Sequence, residues 1–184
     1  MQSNSDIWAE LKRCMPYRNT PEQLQMRRQL WQAIDMNNNG YLSLAEIDRG
    51  LLDVIRIPRL FDTKPVIMRA FQSAKTKVKA TNPHGNDYVS FAEFKYLLSY
   101  LRQYYEYWIA FERLDTDHDR RVTLTEFAKA VPIMNRWNIK ITDPVHTFKE
   151  IDTNGGGVIL FDEFVRWAIK KNIDLEDDDD ADVL

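Results

Sequence analysis

Cysteine is almost missing from these 184 residues: Cys14 stands alone, so no internal disulfide can form. The fold must hold by burial, as expected in a reducing, intracellular and cytoplasmic setting. No apolar run of the secretory kind follows Met1. Nowhere does the chain hold the roughly 20 consecutive apolar residues that span a bilayer. Position 2 is Gln where N-myristoylation needs Gly, and the final Asp-Val-Leu offers no prenylation cysteine, so no lipid anchor is visible. Methionine is scarce in the second half, with Met134 alone after Met68. That composition disfavours the Met-rich groove of a promiscuous binder and favours a dedicated partner. There is no activated nucleophile constellation and no glycine loop for phosphate. Nor is there an acid/base pair beyond the carboxylates that the loops below account for, so an enzyme is not expected. A net charge of −3 and the lack of any recognition module argue against a nucleic-acid partner.

What is present suffices for a folded domain or two small lobes: 44% hydrophobic residues and 12% aromatics. Charge is uneven. Residues 1–100 carry 14 Lys and Arg against 10 Asp and Glu, and residues 101–184 carry 11 against 18. Seven of the acids crowd the last eleven residues, DLEDDDDADVL. That run is too acidic and too poor in apolar side chains to pack, so 174–184 reads as a disordered acidic tail.

A repeat organises the remainder. DMNNNGYLSLAE at 35–46 matches D-x-[DN]-x-[DN]-G-x5-E, DTDHDRRVTLTE at 115–126 and DTNGGGVILFDE at 152–163 align along it, and NPHGNDYVSFAE at 82–93 is a degenerate fourth member. Each has an aliphatic residue at its eighth position, namely Leu42, Val89, Val122 and Ile159. Paired as first with second and third with fourth, these align in short antiparallel ribbons. The flanks are helical in period: Tyr107, Ala110, Phe111 and Leu114 lead into the third loop, and Phe127, Ala130 and Val131 lead out of it. Ile47 with Leu51, Phe94 with Leu97 and Leu98, and Phe164 with Trp167 and Ala168 repeat the exit pattern. Helix, loop, helix, four times over, resembles the EF-hand. The fold expected is therefore all-α, two packed EF-hand pairs of the calmodulin-like superfamily with short β ribbons between paired loops. The expected parts are an N-terminal helix or extension at 1–20, pair one at 21–101, pair two at 102–173 and the tail. Residues 94–114 contain no Gly or Pro and are apolar on nearly every side, through Leu97, Leu101, Tyr104, Tyr105, Trp108 and Ile109. A helix of that kind is buried, here between the two lobes, or else it offers its aromatics to a partner.

Calcium takes about 6 to 8 oxygens, which such a loop supplies from its first, third, fifth, seventh (backbone), ninth and twelfth positions. The first loop supplies all of them: Asp35, Asn37, Asn39, the Tyr41 carbonyl, Ser43 and Glu46, with Gly40 at the turn. The third supplies Asp115, Asp117, Asp119, the Arg121 carbonyl, Thr123 and Glu126, but places Arg120 where glycine is expected, at a cost of roughly 1–2 kcal/mol if left-handed. The fourth keeps Asp152, Asn154, the Val158 carbonyl and Glu163, while Gly156 and Leu160 leave two directions to water. The second has Asn82 and His84 at its first and third positions, so no ion is expected there. Its use is structural, through Val89 and Phe94. The basic stretch AKTKVK at 74–79 reads as the end of the helix entering that loop, with Phe71, Ala74 and Val78 inward and lysines solvated or facing an acidic surface.

The segments IWAELKRCMP and ITDPVHTFKEIDTNGGGVILFDEFVRWAI, with the long connection over 47–81, resemble the flagellar calcium-binding proteins of kinetoplastid protists, the calflagins. That resemblance implies a calcium-dependent protein of the cilium or flagellum, attached to membrane in the family through an acylated N-terminus for which Met1-Gln2-Ser3 offers no acceptor. Two functions are consistent with these residues. One is a calcium sensor acting through a protein partner, axonemal or membrane-associated. The other is a constitutive structural EF-hand subunit of an axonemal or cytoskeletal assembly.

Overall fold

The computed structural model describes residues 11, 13–78, 87–135 and 139–173. The acidic tail and residues 82–86 of the degenerate loop, with Asn82 and His84, lie outside them. Among the described residues the chain is helical apart from two two-stranded ribbons, and no helix is long and apolar enough to cross a membrane. It divides into two compact units, 1–105 and 106–184.

In the first unit, α1 (Pro21–Ile34) starts where Thr20 accepts the Gln23 N–H and Pro21 presets the helical φ. β1 (Tyr41–Ser43) leads into α2 (Leu44–Gly50), whose last residue must be small, since a Cβ on Gly50 would stand 2.7 Å from Ile34 Cγ1. The long connection then makes a π-helical turn at Leu51–Ile55, stopped by Arg56 at φ +61. The short α3 (Pro58–Asp62) and α4 (Lys64–Ala74) follow. β2 (Tyr88–Ser90) runs antiparallel to β1 with Leu42 opposite Val89, and both side chains are fully buried. Trp31 meets Phe91 and Phe94 edge-on at 5.4 and 5.2 Å, tying α1 to α5 (Phe91–Leu114).

α5 continues into the second unit, followed by β3 (Arg121–Thr123), α6 (Leu124–Met134), α7 (Pro144–Ile151), β4 (Val158–Leu160) and α8 (Phe161–Lys170). Val122 lies opposite Ile159 in the second ribbon. The expected register, eighth position against eighth, is present in both ribbons. Phe111, Phe127, Phe148 and Phe164 form the core here, with Phe127 and Phe148 edge-on at 5.9 Å and Phe111 and Phe164 tilted at 5.7 Å. Leu97, Leu101, Tyr104, Tyr105, Trp108 and Ile109 of α5 are all buried.

One helix end differs from the sequence reading. α4 stops at Ala74, and Lys75 to Val78 form turns with Val78 only half-buried. Thr76 gives its hydroxyl to the Ser73 carbonyl, and the Lys77 N–H closes a turn onto Ala74. A β-branched side chain bonded back to the helix end competes with its continuation.

Candidate metal centre

Five of the eight buried polar or charged residues among those described are first or twelfth positions of the loops: Asp35, Glu93, Asp115, Glu126 and Glu163. Buried carboxylates are costly unless paired or bound to a cation, so their collection at loop ends identifies the place to look.

Each first-position carboxylate is aimed by backbone amides. Asp35 accepts the Asn39 N–H at 3.2 Å on one oxygen and the Gly40 N–H at 3.0 Å on the other. Asp115 accepts Asp119 and Arg120 at 3.2 and 2.9 Å, and Asp152 accepts Gly156 and Gly157 at 3.0 and 2.9 Å. Since each carboxylate oxygen has about two acceptor directions, one per oxygen is left for an ion. Third-position oxygens are held likewise, Asn37 and Asp117 by the N–H of Asn39 and Asp119, Asn154 by that of Gly156. Asn39 and Asp119, at the fifth position, accept the N–H of Tyr41 and Arg121, the seventh-position residues.

The turn conformation is shared. Gly40, Arg120 and Gly157 at the sixth position have φ of +79, +68 and +76. Arg120 therefore adopts the left-handed state that the spacing requires, despite its side chain.

The twelfth position closes each loop. Glu46 accepts the backbone N–H and hydroxyl of Ser43 at 2.9 and 2.7 Å, and Ser43 Oγ accepts the Glu46 N–H in return. Thr123 and Glu126 make the same reciprocal cap. In the degenerate loop Glu93 takes the Ser90 N–H and hydroxyl at 2.9 and 2.7 Å, so its carboxylate has a structural use. Leu160 has no oxygen to offer, and only the Glu163 half of the cap forms, from the Leu160 N–H at 3.0 Å.

The third loop gathers three carboxylates. One oxygen each from Asp115, Asp117 and Glu126 lie within 4.8 Å of one another, the one group of three or more His, Cys, Asp or Glu side chains gathered so closely among the described residues. Two oxygens each about 2.3–2.6 Å from one calcium ion stand at most about 5 Å apart, so this donor set fits. Burial pushes the Asp115 carboxyl above its ordinary value, opposed by the Arg120 amide and reinforced by Asp117 and Asp119. A cation would relieve that cost. Burial acts on Glu126 in the same sense, but four hydrogen bonds from Thr123 and Thr116 outweigh it and hold its carboxyl at about 2. In the first and fourth loops the third-position donor is an amide, from Asn37 and Asn154, which lowers the local negative charge.

Two contributors were not read from the sequence. Thr116 and Thr153, at the second position, donate to Glu126 at 2.9 Å and to Glu163 at 3.1 Å through their hydroxyls. In the first loop that place is Met36, and Asn37 Nδ2 reaches Glu46 instead, at 2.8 Å. The fourth position is also left-handed, with Asn38 at +54, His118 at +60 and Gly155 at +69. Asn, His and Gly are among the residues that enter that region most readily, the only sequence signal available there.

Helix, loop and helix, joined in pairs through antiparallel eighth positions and closed by carboxylates at the loop ends, define a calcium-binding EF-hand protein. An FCaBP EF-hand domain matches residues 11–101, and an EF-hand domain pair matches 108–169. The chain belongs to the flagellar calcium-binding protein family. It is 33% identical to the flagellar calcium-binding protein of Trypanosoma cruzi, over 94% of this chain and 83% of that one. A more distant relative is calcium-binding protein 4 of Mus musculus, 28% identical over 79% of this chain and 52% of that one. Among solved structures, a homolog of programmed cell death 6 protein from Leishmania major Friedlin is 16% identical, covering 78% of this chain and 70% of that one at a TM-score of 0.38.

Proposed function

We propose that this protein is a calcium sensor, not an enzyme, and that it couples ion occupancy of the first and third loops to a protein partner in a cilium or flagellum. The carboxylates of Asp115, Asp117 and Glu126 gathered within 4.8 Å are the observation that carries this reading. Asp119, the Arg121 carbonyl and Thr123 complete the third site. Asp35, Asn37, Asn39, the Tyr41 carbonyl, Ser43 and Glu46 make the first, with two formal charges against four. Asp152, Asn154, the Val158 carbonyl and Glu163 bind with water filling the directions of Gly156 and Leu160. The flagellar setting is carried over from the relatives' names.

Titration calorimetry of the parent and of Asp35→Ala, Asp115→Ala and Asp152→Ala is the test. One binding event is expected to disappear from each of the first two variants. Heat unchanged in both opposes the assignment. Sensing also requires that calcium alter the exposed apolar surface, read with a hydrophobic dye. An identical signal with calcium and with chelator would leave only a structural subunit.

A further inference from the structure

Two asparagines in the chain are followed by glycine, Asn39 by Gly40 in the first loop and Asn154 by Gly155 in the fourth. All four residues are exposed, and a Cβ added at either glycine would meet nothing within 4 Å. An asparagine so placed can react with its own chain, the amide nitrogen of the next residue attacking its Cγ. Glycine leaves that nitrogen unshielded and the backbone free to bring it in.

The two sites present the same electrophile. Asn39 Oδ1 accepts the Tyr41 N–H at 2.8 Å, and Asn154 Oδ1 accepts the Gly156 N–H at 2.7 Å, so each side-chain carbonyl is polarised and folded over the glycine nitrogen between. They differ in the nucleophile. First-position carboxylates take the fifth and sixth amides of their loops, and Gly40 is a sixth residue, so its N–H is held by Asp35 at 3.0 Å in a charge-assisted bond that must break before attack. Gly155 is a fourth residue. In its loop the Asp152 carboxylate is taken by Gly156 and Gly157. The Gly155 N–H has the neutral Asp152 carbonyl at 3.4 Å, longer than the ordinary range of about 2.7–3.2 Å.

We propose that Asn154 is a self-modification site. The Gly155 nitrogen bonds to Cγ, Nδ2 leaves as ammonia with the displaced proton, and water opens the cyclic imide. Opening at Cγ leaves aspartate; opening at the main-chain carbonyl carbon leaves isoaspartate, with a methylene added to the backbone. Aspartate at 154, with Asp152 and Glu163, gives the fourth loop carboxylates at its first, third and twelfth positions. Those are the positions of Asp115, Asp117 and Glu126, gathered within 4.8 Å in the third loop. The loop with the poorest ligand set thus gains charge with age. The reaction needs no ion, while its effect on affinity rests on the calcium reading.

The test incubates the folded full-length protein in neutral buffer with chelator and follows both asparagines by peptide mass mapping. Asn154 is expected to convert roughly tenfold or more faster than Asn39, the factor set by the charged hydrogen bond on Gly40. In denaturant, where neither glycine nitrogen is held, the two rates are expected to converge. Calorimetry in the Asp35→Ala/Asp115→Ala background reads the consequence: Asn154→Asp is expected to tighten calcium binding at the fourth loop several-fold. Conversion at Asn154 with no calcium uptake by the fourth loop would keep the modification and remove the ion from that loop. Three results overturn the proposal: conversion of Asn39 as fast as that of Asn154 in the folded protein, Asn154 intact when the denatured chain has reacted, or fourth-loop uptake that Asn154→Asp leaves unchanged or weakens.

Discussion

Glu126 has two oxygens and receives four hydrogen bonds, from the N–H and hydroxyl of Thr116 on one and of Thr123 on the other. A calcium ion gripped by both oxygens takes directions that the two hydroxyls hold here. Thr123 is the cap of α6 and Thr116 is not, so Thr116 can be altered with less cost to the helix. Thr116→Val keeps the shape and removes the competing hydroxyl, whose net hydrogen bond is worth about 0.5–1.5 kcal/mol. Calcium affinity at the third loop is expected to rise by roughly twofold to tenfold, and calorimetry on the Asp35→Ala background reads it in isolation. A fall in affinity would mean that Thr116 holds Glu126 in its binding pose. At this scale the left-handed sixth position and the closing carboxylate at the twelfth were legible in the sequence, because the loop spacing fixes both. The contribution of Thr116 was not, since the second position carries no ligand and Met36 occupies it in the first loop without loss of closure.

The β ribbon is the element through which a loop of poor ligands acts on a good one. Val89 pairs with Leu42 and both are fully buried, while Glu93 closes its own loop onto Ser90. Val89→Ala removes two buried methyls and is expected to destabilise the first unit by about 2 kcal/mol. Because Leu42 lies between Tyr41 and Ser43, calcium affinity at the first loop should fall too, although no ligand has changed. Normal first-loop affinity in a destabilised Val89→Ala protein would separate the ribbon from metal binding. The ribbons, their register and the exit helices were readable from the alignment of eighth positions and from 3.6-residue periodicity. The π-helical turn at Leu51–Ile55 was not, nor was the end of α4 at Ala74. The first is closed by the Arg56 N–H on the Leu51 carbonyl with Arg56 left-handed, and the second turns on hydrogen bonds from Thr76 and Lys77 that no periodicity encodes.

For the molecule as a whole, calcium is a ligand that binds the folded chain and not the unfolded one, so it must raise stability by mass action. At about 100 times the dissociation constant one site gains about 2.7 kcal/mol, which for units of this size corresponds to roughly 10–20 °C in the midpoint of the unit that binds. The first loop belongs to the unit of residues 1–105 and the third to that of 106–184. Thermal melts of the parent with calcium and with chelator are therefore expected to differ, and Asp35→Ala and Asp115→Ala should each remove part of the difference. Asp152→Ala should remove less, because Gly156 and Leu160 leave its loop with fewer protein oxygens and the three consecutive glycines lose more backbone freedom when an ion orders them. If both first-position variants kept the full calcium-induced shift, the stabilising ion would lie elsewhere than among the oxygens of Asp35 to Glu46 and Asp115 to Glu126. A shift abolished by Asp115→Ala alone would make the third loop, with its four carboxylates, the single effective site.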